Sequence, residues 1–331
     1  MRYALINKIF LTVTLTVAAT ALIFEQLAIG KRNDSTWKPK SKYIDAGQLL
    51  RDVEYLASDE LEGRSADLPS MQKARDYVEK RFTESGLQPI GNSYKQEFQI
   101  TERGSDKKIP GVNFVGQIQG KKQPDKYIVI TAHYDHVGIS KGEIYNGADD
   151  NASGTAALFA IAKYFSKKKP DHSLIFVAFD AEEKGLQGAR HFVANLPVAK
   201  DSIVLNVNMD MVSRSDKNEL YAAGLIHYSQ FTNVIEKVKK KARVSLMRGH
   251  DVPGTGREDW TNQSDHAAFH REKIPFIYFG VEDHKDYHRP TDDFVNIQPD
   301  FYVRAVETVL SVIREIDNEK WGTGIGVSYS N

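Results

Sequence analysis

The chain has 331 residues, of which 41% are hydrophobic and 27% are charged, an ordinary composition for a globular protein. Lys and Arg number 44, as do Asp and Glu, so the formal net charge is zero and no basic field is present that would recruit nucleic acid. Cysteine is absent, which excludes disulfides, thiol nucleophiles and thiolate metal ligands. Any metal ion must therefore be held by His, Asp and Glu.

The first 30 residues have the pattern of a targeting segment. Arg2 and Lys8 precede an uncharged, largely apolar run over residues 9–24. Such a pattern is typical of a secretory signal peptide or of an N-terminal membrane anchor, and both interpretations remain open. We exclude residues 1–30 from the fold and interpret residues 31–42 as a solvated tether. We expect the protein to work outside the cytoplasm, either periplasmic or secreted, with the apolar run as its membrane attachment if it is not cleaved.

Two helices are predicted at the start of the folded part. Apolar residues recur at helical spacing over residues 45–57 and again over residues 71–84. Ser70 is the expected N-cap of the second helix, and Gly86 is the residue expected to end it. The turn between the helices, residues 62–64 (EGR), has no role that the sequence assigns.

Apolar runs that predict strands alternate with further helical patterns. The predicted strands cover residues 112–118, 127–132, 173–179, 202–207 and 275–279. The predicted helices cover residues 155–165, 186–195, 228–241 and 301–316. Because most of these apolar runs are continuous, we expect both faces of the sheet to be buried, as in a mostly parallel sheet. The alternation predicts an α/β fold, with one domain over residues 43–318, helices on both sides of a twisted sheet, and a C-terminal tail over residues 319–331.

Histidines and carboxylates follow four of the predicted strands. They are His133, Asp135 and His136, then Asp180, Glu182 and Glu183, then Asp210, and finally His284, Asp286 and His288. A loop that precedes a predicted helix adds Asp149 and Asp150. In open α/β sheets ligands bind beyond the carboxyl ends of the strands, so we expect these side chains at one rim. Carboxylates brought together repel one another unless a cation lies between them, and His with Asp or Glu suits an open zinc site.

Six segments together resemble the co-catalytic zinc aminopeptidases, the group of bacterial leucyl aminopeptidases and yeast aminopeptidase Y. In chain order they are AHYDHVG (132–138), NGADDNASG (146–154), FDAEEKGLQGA (179–189), NMDMV (208–212), QSDHAAFH (263–270) and YHRPTDDF (287–294). The resemblance covers roughly residues 43–318. The protease-associated insert of that family is missing from this stretch. It implies a zinc-exopeptidase fold of the phosphorylase/hydrolase-like type and two zinc ions per chain.

The resemblance also implies a set of metal ligands. His133 and Asp210 would bind one zinc ion, and Glu183 and His288 would bind the other. Asp150 would bridge the two ions.

Further residues receive roles through the same resemblance. Glu182 would be the general base, and Asp135 would hold the outer ring nitrogen of His133. Asp265 and His266 would support the site.

Two of these assignments have a neighbouring competitor. Asp149 competes with Asp150, which we prefer because the bridging Asp of the family lies four residues before the Gly that opens a helix, here Gly154. His284 competes with His288, which we prefer because of its YH-x-P-x-D context.

The implied function is a zinc-dependent metallopeptidase that removes the N-terminal residue of peptides. A glutaminyl-peptide cyclotransferase with one zinc ion is an alternative on the same fold. A carboxypeptidase is another, with Arg257, Arg271 or Arg289 as the cation for the substrate carboxylate. A receptor-like binding module is the non-enzymatic alternative. Peptides are the expected partners, nucleic acid is not, and the sequence decides neither the oligomeric state nor the side chain that is preferred.

Four aromatic residues are candidates for the walls of the substrate pocket. They are Trp260, Phe269, Tyr278 and Phe279. For each of them, packing in the core is the expected role.

Overall fold

The computed structural model describes residues 39–102, 104 and 107–321. The predicted targeting segment, most of the tether and residues 322–331 lie outside the described residues. From Lys40 onward the described chain forms one compact unit. None of its helices is long and apolar enough to cross a bilayer.

The predicted helices are present, with one short addition. The described α-helices are α1 (Ala46–Leu56), α2 (Met71–Ser85), α3 (Gly154–Lys167), α4 (Gln187–Ala194), α5 (Thr232–Lys239), α6 (His266–Arg271) and α7 (Pro299–Asp317). Gly86 ends α2 with a φ of 87°, a conformation that glycine adopts without steric cost. Ser70 occupies the N-cap position of α2, as predicted, but its side chain makes no capping hydrogen bond.

The described strands include all five that were predicted. They are β1 (Gln88–Pro89), β2 (Lys95–Thr101), β3 (Lys108–Ile118), β4 (Gln123–His133), β5 (Gly138–Ser140), β6 (Glu143–Tyr145), β7 (His172–Phe179), β8 (Ile203–Met209), β9 (Glu219–Ala223), β10 (Ser245–Arg248) and β11 (Phe276–Gly280). Strands β5 and β6 pair only with each other, and the others form one sheet.

The main sheet is parallel at its centre and mixed towards its edges. Its strand order is β1-β3-β7-β4-β8-β11-β9-β10, and β2 pairs with β3. Strand β4 runs parallel to both β7 and β8, and β8 runs parallel to β11. Strand β3 is antiparallel to β7, and β9 is antiparallel to β11. The expectation of a mostly parallel sheet therefore holds for the four central strands, whereas the whole sheet is mixed.

Both faces of the central strands are buried, which explains their continuous apolar sequences. In β4, Ile128 and Ile130 belong to the core beneath helices α1, α2, α3, α5 and α7, whereas Val129 belongs to the core beneath α4 and α6. All three side chains are fully buried. Each such side chain contributes about 1.5–3 kcal/mol of hydrophobic stabilisation.

Candidate metal centre

The predicted site residues meet where the four central strands end. The strands and the residues that end or follow them are β4 with His133, β7 with Glu182 and Glu183, β8 with Asp210, and β11 with His288. Asp150 comes from the irregular turn that leads into α3. Because parallel strands place their carboxyl ends on one edge, residues more than 150 positions apart in sequence become neighbours.

One half of the cluster is centred on His133. Its Nε2 lies 3.4 Å from Asp150 Oδ1 and 3.4 Å from Asp210 Oδ1. Ligand atoms of His133, Glu182 and Asp210 all lie within 4.8 Å of one another. This half therefore offers one imidazole and three carboxylates within reach of a single cation.

The other half is centred on Glu183. His288 Nε2 lies 3.0 Å from Asp150 Oδ2 and 3.4 Å from Glu183 Oε1. Asp150 thus directs its second oxygen into this half, while its first oxygen faces His133. The carboxylate of Asp150 lies between the two halves.

His136, which has no predicted role, is also a member of the cluster. Its imidazole is fully buried, and its Nδ1 lies 2.8 Å from Glu183 Oε1 and 3.8 Å from Asp150 Oδ2. Ligand atoms of His136, Asp150 and Glu183 lie within 4.8 Å of one another. The sequence feature that could have identified His136 as a site residue is its position three residues after His133, beyond the end of the same strand.

Asp135 acts differently from the expectation. Its Oδ1 lies 3.7 Å from His133 Nδ1, too far for a hydrogen bond, and that nitrogen faces the backbone oxygen of Asp135 at 3.2 Å instead. The carboxylate accepts hydrogen bonds from the backbone N–H groups of Glu182 (3.0 Å) and Glu183 (3.3 Å). Asp135 therefore ties the loop after β4 to the loop after β7.

The competitors Asp149 and His284 pair with each other. His284 Nε2 lies 3.0 Å from Asp149 Oδ2. The other oxygen of Asp149 accepts hydrogen bonds from the backbone N–H and the hydroxyl of Ser213, at 2.6 and 2.8 Å. The carboxylate of Asp292 accepts the backbone N–H groups of Asp149 and Asp150, at 2.9 and 3.0 Å. These contacts hold the turn that presents Asp150.

Arg64 lies beneath the cluster. It belongs to the turn of residues 62–64, for which the sequence predicted no role. Its side chain is fully buried and donates hydrogen bonds to the backbone oxygens of Tyr134 (2.8 Å), Asn146 (2.6 Å) and Gly147 (3.0 Å), and also to that of Leu56. Burial lowers the pKa of Arg64 to about 10, so the guanidinium remains charged at neutral pH. One cation therefore joins the loop after His133 to the loop before Asp150.

The two adjacent glutamates have opposite pKa shifts. Burial raises the pKa of Glu182 well above its usual range; Asp265 adds to this rise and His133 opposes it. Burial alone would also raise the pKa of Glu183, but His136 and His288 hold it below its usual range. Neighbours in sequence thus occupy different electrostatic environments.

Asp265 and His266 lie behind the His133 half of the cluster. Asp265 directly precedes α6, and His266 is the first residue of this helix. Both are fully buried, and neither carboxylate oxygen of Asp265 has a hydrogen-bond partner among the described residues. Burial raises the pKa of Asp265 well above its usual range. His266 Nε2 lies 2.9 Å from the backbone oxygen of Trp260, and burial lowers the pKa of His266 to about 4.

A cleft opens onto the cluster, and its lining combines apolar and acidic residues. The four aromatic residues considered above are all buried in the core, as expected, and Trp260 and Tyr278 also line the cleft. The other lining residues are Asp150, Glu182, Glu183, Gly185, Leu186, Asp210, Met211, Asn262, Gln263, Val281, Asp283, Tyr287 and His288. Among the described residues that line the cleft, none is Lys or Arg.

The donor set fits two divalent cations. Among the described residues, no Lys or Arg lies at hydrogen-bond distance from the carboxylates of the cluster. The nearby Arg64 donates its hydrogen bonds to backbone oxygens. Nδ1 of His136 lies 2.8 Å from Glu183 Oε1, and its Nε2 is buried without a hydrogen-bond partner among the described residues. Imidazoles and carboxylates, with no thiolate in the chain, are ligands that suit zinc in an open site.

The α/β fold and the position of the cluster define a protein of the zinc-exopeptidase type. A zinc aminopeptidase from Bacillus subtilis, BSAP, superposes with a TM-score of 0.68 at 18% identity, covering 86% of this chain and 98% of that structure. A glutaminyl cyclase from Porphyromonas gingivalis superposes with a TM-score of 0.67 at 17% identity, covering 83% and 100%. At such identities these similarities establish the fold alone.

The sequence profile of peptidase family M28 matches residues 113–313, and the chain therefore belongs to this family. Among characterised relatives, aminopeptidase YwaD from Bacillus subtilis is 31% identical over 208 residues. The aligned region covers 59% of this chain and 42% of that relative. The chain thus spans less than half the length of YwaD.

Proposed function

We propose that the protein is a zinc-dependent aminopeptidase that hydrolyses the first peptide bond of its substrates. The observation that carries the proposal is the position of Asp150, whose two carboxylate oxygens face His133 and His288 at 3.4 and 3.0 Å. A carboxylate shared by two ligand groups is the arrangement that a two-metal site needs. Membership of the family and the similarity to YwaD support the same reaction class.

Five residues would hold two zinc ions. His133 and Asp210 would bind one ion, Glu183 and His288 the other, and Asp150 both. When bound, the ions supply Lewis acidity that polarises the scissile carbonyl and lowers the pKa of water. His136 stands beside the second group and could complete it.

Glu182 would act as the general base. It lies in the His133 half of the cluster and lines the cleft, so its carboxylate can reach a water molecule at the scissile bond. It would take a proton from the attacking water and return it to the leaving amine. Asp135, which accepts the backbone N–H of Glu182, would hold the loop that presents this carboxylate.

The charge of the cleft favours the amino end of a peptide. Three of the five carboxylates in its described lining would bind zinc, which leaves Glu182 and Asp283 to attract a free α-ammonium. The described lining contains no Lys or Arg that could pair with a free carboxylate. Arg257, Arg271 and Arg289, the cations considered for a carboxypeptidase, are not among the lining residues. The apolar members of the lining, including Trp260 and Tyr278, would contact the side chain of the first residue.

A glutaminyl-peptide cyclotransferase is the second candidate, favoured by the similarity of the fold to the glutaminyl cyclase. It would need one metal ion and would release ammonia from N-terminal Gln without cleaving a peptide bond. The two-part cluster favours hydrolysis.

A substrate panel tests these alternatives. We expect release of the first residue from short peptides and aminoacyl anilides, and no cleavage of their N-acetylated forms. Undiminished cleavage of acetylated peptides would contradict the aminopeptidase proposal. Loss of activity on C-terminal amides would indicate a carboxypeptidase, and ammonia from N-terminal Gln would indicate a cyclotransferase.

We also propose that the protein is exported and attached to the membrane through residues 9–24. The basic residues before this run and its apolar composition support the proposal. Fractionation of producing cells and N-terminal sequencing of the protein test it. A protein found soluble in the cytoplasm with residue 1 intact would contradict export.

A further inference from the structure

Basic residues are concentrated around Tyr43, on a surface that does not belong to the cleft. Two grooves share Tyr43 as a lining residue, and this tyrosine is 44% exposed. We define the basic face by six exposed residues that line these grooves: Lys42, Lys163, Lys167, Lys168, Lys241 and Arg243. The carboxylates among the described lining residues are Asp45, Asp52, Glu307 and Glu315, of which Asp52 is buried in an ion pair with Arg81.

This concentration matters because the chain as a whole is neutral. Lys and Arg balance Asp and Glu at 44 each, so a basic surface in one place implies an acidic surface elsewhere. The described lining of the cleft holds five carboxylates, three of which would bind zinc. The basic face is therefore a local excess of positive charge on a neutral chain.

Helix α3 connects the two regions. It begins at Gly154, four residues after Asp150, and its last residue is Lys167, which belongs to the basic face. Fourteen residues at 1.5 Å per residue give a length of about 21 Å. The basic face and the candidate metal centre thus lie at opposite ends of one straight element.

The chain enters the folded unit within the basic face. Ser41 Oγ donates a hydrogen bond to Glu307 Oε1 at 2.6 Å, and the backbone N–H of Lys42 donates to the same oxygen at 3.3 Å. Arg243 Nη1 lies 3.6 Å from the other oxygen of Glu307. The segment that precedes residue 40 is therefore covalently attached at this face.

We propose that the basic face docks on the anionic headgroups of a phospholipid bilayer, with the cleft turned away towards solvent. Clusters of Lys and Arg beside a membrane segment are attracted to anionic lipids, and an exposed tyrosine suits the headgroup region. The sixteen residues from 25 to 40 can span at most about 55 Å. If residues 9–24 are the membrane attachment proposed above, on which this inference rests, they would keep the face near the surface. A lipid surface fits better than nucleic acid, because the chain leads from this face to an apolar run.

Single-cysteine labelling tests the orientation, since the chain has no cysteine of its own. The full-length protein is reconstituted into vesicles of phosphatidylcholine, with or without phosphatidylglycerol, that carry a headgroup quencher. One dye is attached at Asn318→Cys, beside the basic face, and another at Asn262→Cys, beside the cleft; both positions are exposed. We expect the dye at position 318 to be quenched more strongly with the anionic lipid, and the dye at position 262 to be unaffected.

Salt and matched charge variants identify the cause. The extra quenching should disappear near 1 M salt, where the Debye length falls to about 3 Å. A triple variant tests the charges of the basic face; it carries Lys167→Gln, Lys168→Gln and Lys241→Gln. Its preference for anionic over neutral vesicles should be at least about tenfold weaker. The same change at Lys108, Lys141 and Lys285, which are exposed outside the basic face, should have little effect.

Several results would overturn the proposal. They are equal quenching in neutral and anionic vesicles, equal quenching at both dye positions, and equal losses in the two triple variants. Tighter binding of single-stranded DNA than of anionic vesicles at the same salt would assign the face to nucleic acid instead. Unchanged melting temperatures in both triple variants exclude misfolding as the cause of a difference.

Discussion

The carboxylate of Asp135 accepts the backbone N–H of Glu182 at 3.0 Å, which joins the ends of two adjacent parallel strands. The same carboxylate accepts the N–H of Glu183. Asp135 was predicted to hold the imidazole of His133, but it positions two glutamates instead. These are the proposed base and a proposed metal ligand. Their placement depends on a contact between loops 47 residues apart.

Replacement of Asp135 tests this contact. Asp135→Asn keeps one acceptor oxygen but replaces the other with a donor, so one N–H of the glutamate loop loses its partner. We expect turnover to fall about 10–100-fold, the usual effect of losing such a supporting partner. Asp135→Ala should fall further. Kinetics with the zinc content measured in parallel are the test, and unchanged turnover would contradict a positioning role.

Glu182 and Glu183 should differ when each is changed to Gln. Glu182→Gln keeps the shape but cannot accept a proton, so we expect turnover to fall about 10²–10⁴-fold with zinc content retained. Glu183→Gln removes a charged ligand and should lose zinc. Elemental analysis and turnover of both variants decide the assignment. A reversed pattern would exchange the roles of base and ligand.

His136 should contribute to metal affinity on the Glu183 side of the cluster. Its Nδ1 lies 2.8 Å from Glu183 Oε1, and its Nε2 is buried without a hydrogen-bond partner among the described residues. His136→Phe retains the bulk and removes both nitrogens. We expect one of the two zinc ions to bind about 10–100-fold more weakly. Competitive chelator titration measures this effect.

A suitable control for His136 is His172. It is also fully buried, but it pairs with Asp317 far from the cluster. His172→Phe should leave both zinc affinities unchanged. Equal affinities in His136→Phe and the unmodified protein would exclude the predicted contribution.

Arg64 should stabilise the fold and the metal centre together. Arg64→Met removes the side-chain donor of four backbone oxygens, of which that of Gly147 keeps the N–H of Ala152. Each of the other three that stays buried and unpaired costs about 1–3 kcal/mol. We expect a loss of several kcal/mol in unfolding free energy and weaker zinc binding. Arg64→Lys should recover only part of this, because an ammonium cannot reproduce the planar set of donors. Chemical unfolding and zinc titration are the measurements.

Arg81 provides the comparison for Arg64. It is also buried, but its partner is Asp52, and neither residue lines the cleft. Arg81→Met should destabilise the protein without changing its zinc affinity. A parallel loss of zinc affinity in both variants would show that the effect of Arg64 is general destabilisation.

His266 should make the free energy of unfolding depend on pH. Its pKa is about 4 in the folded protein and near 6.5 in the unfolded chain, so the unfolded state takes up the proton first as the pH falls. The stability contribution is fully present above pH 6.5 and is lost progressively down to pH 4, by about 3 kcal/mol in total. In His266→Gln this part of the pH dependence should vanish. Unfolding free energies of both proteins between pH 4 and 7 are the test, and parallel curves would contradict it.

Much of the fold is contained in local sequence patterns. The central strands were predictable because both of their faces are buried, which requires continuous apolar runs such as residues 127–132. The helices were predictable from apolar spacing and, for α2, from Gly86. Edge strands were missed because they make few core contacts. In β2, for example, Phe98 and Ile100 are buried while the residues between and beside them are exposed.

The types of residue in the cluster were also evident from sequence, since histidines and carboxylates follow four apolar runs. Only the tertiary structure decided which atoms meet. It placed His136 beside Glu183, paired Asp149 with His284, turned Asp135 towards a backbone, and gave Arg64 its carbonyl partners. A sequence pattern reports the period and polarity of a segment, because these depend on local backbone geometry. Contacts between loops depend on where separate strands end in space, and that is set by the packing of the whole sheet.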